Sequence, residues 1–182
     1  MRAFAFLLPL LIAQAARADA PAAADLIGTK PPEWTVREWL NSEPLTLAGL
    51  RGKVVLVRWW TGPACPYCAG TAPVLNALWK EHRERGLVVV GMYHHKERTP
   101  LTREHVAAQA QRLGFEFPVG VDDDWKTLRR WWLDGREHAW TSVTFVLDRE
   151  GAIRHVHPGG EIAEGSDDAK ALRAAVGQAL GK

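Results

Sequence analysis

The sequence predicts an α/β fold: a mixed central sheet with helices on both faces, finished by a β-hairpin and a C-terminal helix. Three observations carry this. Two nearly continuous apolar runs, "KVVLVRWW" at 53–60 and "LVVVGMY" at 87–93, read as strands buried on both faces. A helical pattern lies between them, long enough for the crossover that parallel neighbours need. Further on, "TSVTFVLDREGAIRHVHP" at 141–158 reads as two strands around a turn whose Gly151 permits the reversal.

In chain order, "EWTVREWLN" at 33–41 alternates apolar and polar residues as an edge strand does. "LTLAGLRGK" at 45–53 reads as a short strand and a turn leading into the core. The helix that follows 53–60 carries Val74, Leu75, Leu78 and Trp79 at helical spacing and stops at Gly86. Pro73 inside it predicts a kink, because proline lacks the N–H that a helix interior uses. A second helix starts at the Thr102 cap, buries Val106, Ala110 and Leu113, and ends at Gly114. Residues 115–122 form a strand, and "DDWKTLRRWWLDG" a short helix carrying Trp125, Leu128, Trp131 and Trp132. After the hairpin, Ser166 caps a last amphipathic helix with Leu172, Val176 and Leu180 on one face.

The ends and the composition narrow the setting. "MRAFAFLLPLLIAQAARADA" has a basic start, an apolar run shorter than the about 20 residues of a membrane span, and small residues after it. This predicts a signal peptide at 1–18, cleaved after Ala18, and export across the inner membrane to the periplasm. A flexible leader at 19–30 and a domain at 31–182 follow. Losing Arg2 and Arg17 from the 23 basic residues leaves a balance with the 21 acidic ones. That charge excludes a nucleic-acid binder, and no basic amphipathic stretch predicts a membrane surface.

The chain has two cysteines, Cys65 and Cys68, both in "CPYC". An exported protein is free to use disulfides as staples, yet a loop this short stabilises little and no other thiol is present. The pair therefore reads as redox-active. As half of a zinc site it lacks the second pair that four ligands require, so no metal and no cofactor are expected.

With its flanks "LAGLRGKVVLVRWW", "LGFEFPVGVDDD" and "TFVLDREGAIRHVHPGG", the motif resembles the thioredoxin-like redoxins, in particular the TlpA/ResA group of extracytoplasmic thiol-disulfide oxidoreductases within the AhpC/TSA redoxin superfamily. The resemblance runs from about Gly28 to Leu180. It implies a thioredoxin fold, a nucleophilic Cys65, a resolving Cys68, protein thiol or disulfide substrates, and a membrane-borne electron donor or acceptor. Trp60, Pro66, Tyr67, Thr141 and Ser142 are the expected substrate-binding residues.

Three positions depart from that family. Ser142 stands where it has a cis-proline, so a trans peptide is expected. Arg58 falls near the place of a buried acid, either facing the site, where it favours thiolate, or packing its stem along the sheet with its head in water, and Thr71 replaces a glutamate three residues after the second cysteine.

At the start of a helix, Cys65 faces unpaired N–H groups and the positive dipole end, which favour its thiolate. Pro66 suits the first helical turn. Two alternatives accompany this reading. A thiol peroxidase would place threonine three residues before the cysteine, but Gly62 stands there and Thr61 is one further back. A copper carrier would recruit His94 and His95, or His155 and His157, to the cysteines; a solvated face is the plainer role for both pairs. Among the nine tryptophans, Trp131, Trp132 and Trp140 flank the Ser142 loop, as core or as an aromatic patch.

Overall fold

The computed structural model describes residues 23–122, 124–136 and 139–181. The expected signal peptide and the first part of the leader lie outside them. The elements are β1 (Trp39–Leu40), β2 (Val54–Trp60), α1 (Pro66–His82), β3 (Leu87–Tyr93), α2 (Arg103–Arg112), β4 (Val119–Val121) and α3 (Lys126–Leu128). A π-helical segment, Arg129–Leu133, extends α3, and β5 (Thr144–Leu147), β6 (Ile153–His157) and α4 (Asp167–Leu180) complete the chain. The six strands lie in the order β1-β4-β3-β2-β5-β6. β2 pairs in parallel with β3, and β3 with β4, whereas β1, β5 and β6 join antiparallel.

β2 sits at the centre, so both its faces are covered and its alternation sorts residues between two cores. Val54, Leu56 and Trp60 pack with Val74, Leu75 and Leu78 of α1, Val106 of α2 and Val176 of α4. Val55, Val57 and Trp59 pack on the opposite side with Leu128, Trp131, Trp132 and Phe145. The predicted mixed sheet with helices on both faces is therefore what forms. Arg58 shares the α1 face by the same period of two.

Several expectations are corrected. The edge strand at 33–41 shortens to Trp39–Leu40, because the backbone upstream is bonded to a side chain: Thr35 N–H donates to Thr127 Oγ1 at 2.8 Å, and that hydroxyl donates back to the Thr35 carbonyl at 3.0 Å. No strand forms at 45–53 before β2. Glu33 accepts from the Leu47 amide at 2.9 Å, and Thr46 Oγ1 from the Gly49 amide at 3.0 Å, which winds the segment into turns. The strand read at 115–122 contracts to β4, Val119–Val121.

α1 runs on through Pro73, which lies on its exposed face, where a lost backbone bond opens to water. The described part of the leader touches the fold at a few points. Ala23 is buried, Gly28 N–H donates to the Ile153 carbonyl at 2.8 Å, and Ile153 N–H donates to that of Thr29 at 2.8 Å. No helix among the described residues is long and apolar enough to cross a membrane.

Candidate active site

β2 ends at Trp60, and five residues later the chain turns into α1. Cys65 is the N-cap residue, in extended backbone, with Pro66 opening the helix. The Cys68 and Ala69 amides return to the Cys65 carbonyl at 3.0 and 3.1 Å, which fixes both cysteines on the first turn. Both thiols are free; Cys65 is half-buried and Cys68 buried. Burial pushes the Cys68 thiol up, and the adjacent Cys65 adds to this, while the Thr61 and Gly62 backbone amides pull the other way. Thr61 Oγ1 lies 3.8 Å from Cys68 Sγ.

A groove of about 200 Å³ opens over the pair. It gathers Cys65, Pro66, Tyr67, Cys68, Thr141 and Ser142, as the sequence predicts, together with Thr61, His94, Lys96 and Trp140. Trp60 is the exception. It is 1 % exposed and packs edge-on to Tyr93 and Phe115 at 5.1 Å each, so it belongs to the core and not to the groove. The peptides are trans throughout the described residues, including that before Ser142. Ser142 Oγ accepts from the Gly160 amide at 3.0 Å, so its hydroxyl ties the loop to the segment after β6. Lys96 Nζ reaches across to Thr141 Oγ1 at 2.6 Å. On the rim Trp140 is 53 % exposed and meets Tyr67 edge-on at 5.3 Å.

Beneath the helix, Arg58 is 1 % exposed, contrary to a head group reaching water. Its Nη1 donates to Thr144 Oγ1 at 3.0 Å. Its Nη2 donates to the Gly160 carbonyl at 2.7 Å and, more weakly, to Thr71 Oγ1 at 3.4 Å and the Tyr67 carbonyl at 3.5 Å. Thr71 also accepts from the Ile162 amide at 2.9 Å, so the residue that replaces a glutamate acts as a neutral tie. Burial lowers the guanidinium to about 10, while the two cysteines raise it, so it keeps its charge at neutral pH.

His94, just past β3, is 1 % exposed. Neither ring nitrogen has a hydrogen-bond partner among the described residues; its backbone N–H donates to the Trp60 carbonyl at 3.0 Å, and the ring packs edge-on to Trp125 at 5.2 Å. Burial, then Lys96, push it down to about 3, Arg58 adding to the push and the Trp60 backbone opposing it. The imidazole is thus neutral in the folded protein. As pH falls below about 6.5 the unfolded chain binds a proton that the fold refuses until about pH 3. Stability is then lost toward acid, by up to ~1.4 kcal/mol per pH unit for this one group. His155 and His157, both lowered first by burial, act in the same direction. His94→Gln is expected to have a shallower pH slope than the wild type when urea unfolding is compared at neutral and mildly acid pH; equal slopes would exclude this account.

The histidine pairs do not complete a metal site. Among the described residues no three His, Cys, Asp or Glu side chains come together as a metal would need. His95 is bonded to Tyr93 Oη and the Thr99 carbonyl, and His157 lies 3.4 Å from Asp168.

A mixed sheet of this order, with a C-x-x-C opening the helix after its central strand, defines a thioredoxin-fold redoxin. The AhpC/TSA family profile matches residues 27–156, and the chain belongs to that family. It is 28 % identical over 141 residues to Protein DipZ of Mycobacterium bovis, covering 76 % of this chain and 19 % of DipZ. It is 26 % identical over 125 residues to the thiol-disulfide oxidoreductase ResA of Halalkalibacterium halodurans, covering 69 % of this chain and 65 % of that protein. The chain thus spans less than two thirds of the length of these curated relatives. A crystal structure of a thioredoxin-like superfamily protein matches 84 % of this chain and 97 % of its own, with a TM-score of 0.67 and 27 % identity. The family resemblance and the thioredoxin fold read from the sequence both hold.

Proposed function

We propose that the protein is an extracytoplasmic thiol-disulfide oxidoreductase that exchanges the Cys65–Cys68 dithiol or disulfide with protein substrates. The observation that carries this is one half-exposed and one buried free thiol on the first turn of α1, under a groove. Cys65, at the mouth, attacks a substrate disulfide and forms a mixed disulfide. Cys68 then attacks the Cys65 sulfur and releases the substrate thiol. The similarity to ResA, named as such an enzyme, supports the reading. Protein rather than small substrates fit the exposed Trp140 beside Tyr67, an apolar rim on which an extended chain would lie.

The signal-like N-terminus supports a periplasmic site, where a membrane-borne partner would exchange electrons with the pair. The peroxidase alternative is less well served, because the Thr61 hydroxyl approaches Cys68 and not Cys65. Copper transport would need a third ligand beside the two cysteines, and no such group of three is formed among the described residues. The direct test is reduction of insulin disulfides by a small dithiol in the presence of the protein. Cys65→Ala is expected to fall to the uncatalysed rate, and wild-type activity in that variant would refute the function.

A further inference from the structure

Arg58 is a buried cation without a carboxylate partner: among the described residues its four hydrogen bonds all end on neutral oxygens, and its Nε has no partner. A buried charge left without a counter-charge is costly. The charged and titratable groups around it are few. α1 supplies Cys68 and Cys65; the segment after β3 supplies His94, kept neutral, and Lys96. β6 supplies His157, whose acidic neighbour Asp168 of α4 lies 3.4 Å from its Nε2 and makes no ion pair with Arg58 among the described contacts. Glu161 packs against Gly70 of α1 and makes no ion pair with Arg58. The guanidinium donates to the Tyr67 carbonyl and to Thr71 Oγ1, on either side of Cys68 in α1, so the groups placed to bring negative charge to it are the two thiols.

We infer that Arg58 is a positioning residue that biases the direction of exchange, by stabilising thiolate charge in the reduced pair and so making the Cys65–Cys68 disulfide a stronger electron acceptor from substrate dithiols. This rests on the thiol-disulfide function proposed above. The cation attracts a thiolate but gains nothing from a neutral disulfide, so it favours the reduced state, and a stabilised reduced state makes a more oxidising couple.

In the step that follows, a substrate thiolate attacks Cys65 Sγ. The Cys65–Cys68 bond breaks, and Cys68 leaves as a thiolate beside Arg58. The second substrate thiolate attacks its own mixed-disulfide sulfur, Cys65 departs with the electron pair, and the substrate leaves as a disulfide. Two electrons have passed to the pair, and the two substrate protons go to solvent or to the departing sulfurs. A second, more strongly oxidising disulfide-bearing protein must then take those electrons back.

The test is the equilibrium of the full mature protein with reduced and oxidised glutathione, read by the fraction of Cys65–Cys68 disulfide. The wild-type pair is expected to be more oxidising than glutathione. Arg58→Met is expected to shift the equilibrium toward the disulfide by about tenfold or more, since removing an opposite charge at close range raises a thiol by 1–3 pKa units. Arg58→Lys, which keeps the charge, is expected to stay near the wild type. A purely structural Arg58 would give no difference between the Lys and Met variants, or none from the wild type, and either result overturns the inference, as does a wild-type pair more reducing than glutathione. Should Arg58→Met fail to fold, Arg58→Gln, which also removes the charge but keeps an amide able to donate toward Thr144 Oγ1 and the Gly160 carbonyl, is expected to shift the equilibrium in the same direction, and no shift overturns it equally. These equilibria do not involve a protein substrate. If they behave as expected while Cys65→Ala keeps full insulin activity, the catalytic function fails and not the role of Arg58.

Discussion

Cys68→Ala is expected to stop turnover while leaving the first covalent step intact, so that a substrate protein accumulates bonded to Cys65. The geometry sets this division of labour. Cys68 is 3 % exposed and sits one turn inside α1, behind Cys65, so an incoming disulfide meets Cys65 first. Release depends on an attack from within the same helical turn, with no diffusional encounter to wait for. Well-oriented intramolecular groups reach effective molarities of about 10⁵–10⁸ M, so replacing Cys68 by a millimolar external thiol slows release by roughly 10³-fold or more. The fold should tolerate the change. The side chain lost is small, its partner in the described contacts is the distant Thr61 hydroxyl, and deleting one buried sulfur costs about 1 kcal/mol. Non-reducing electrophoresis and intact mass would show an adduct in Cys68→Ala that is sensitive to a dithiol and missing from Cys65→Ala. Normal turnover by Cys68→Ala, or an adduct that survives loss of Cys65, would contradict the assigned order of attack.

How much of this was legible in the sequence depends on how local the determining contacts are. The strand, the C-x-x-C and the helix after it lie within one stretch, and their patterns specify the site's frame. The Ser142 loop was also readable, because the flanks of β5 fix its place in the sheet. The state of Arg58 was only half legible: a place facing the site and a head in water were both open readings. A charged residue in an apolar strand ordinarily extends its head to water. Here its acceptors, Thr144 Oγ1 and the Gly160 carbonyl, come from 86 and 102 residues away. Trp59 and Trp60 show the same limit. On a strand covered on both faces, alternation assigns them opposite sides but cannot say which side opens to a groove, and both prove buried. The false strand at 45–53 has another cause. Its apolar alternation is real, but Glu33 and Thr46 offer the backbone nearer partners than another strand does. His94 and Lys96 reach the groove from the loop after β3 and Trp140 from the loop before β5, and only their positions at the carboxyl edge of the parallel strands and beside Ser142 hinted at it.

Asp122→Ala is expected to give the largest loss of stability outside the two cores, and the reason runs from the sheet to the groove rim. Asp122 leaves β4 only 1 % exposed, and its own N–H donates to the Tyr93 carbonyl at 2.8 Å. Its Oδ2 accepts from Trp59 Nε1 at 3.0 Å and from the Leu128 amide at 2.8 Å, and its Oδ1 from the Thr127 amide at 3.0 Å. One carboxylate thus pins α3 to the central strand. It also holds a tight turn, since Trp125 enters α3 with a left-handed φ of 58°. The π-helical segment beyond α3 carries Trp131 and Trp132 into the core, and Trp132 Nε1 donates to the Trp140 carbonyl at 2.8 Å. Alanine leaves three buried donors without an acceptor at ~1–3 kcal/mol each, less what water and relaxation recover, so a loss of about 3–5 kcal/mol is expected. In a chain of this size that lowers Tm by roughly 10 °C or more. Asn keeps one carbonyl oxygen but points an amide at donors, so Asp122→Asn should fall between the two in urea and thermal unfolding. Because the same contacts anchor the segment that leads to Trp140, both variants should also weaken substrate capture at Cys65 while leaving the glutathione equilibrium of the pair unmoved. A stability within about 1 kcal/mol of wild type in Asp122→Ala, which is the range of a surface change, would mean that α3 is held by its tryptophans and not by this carboxylate.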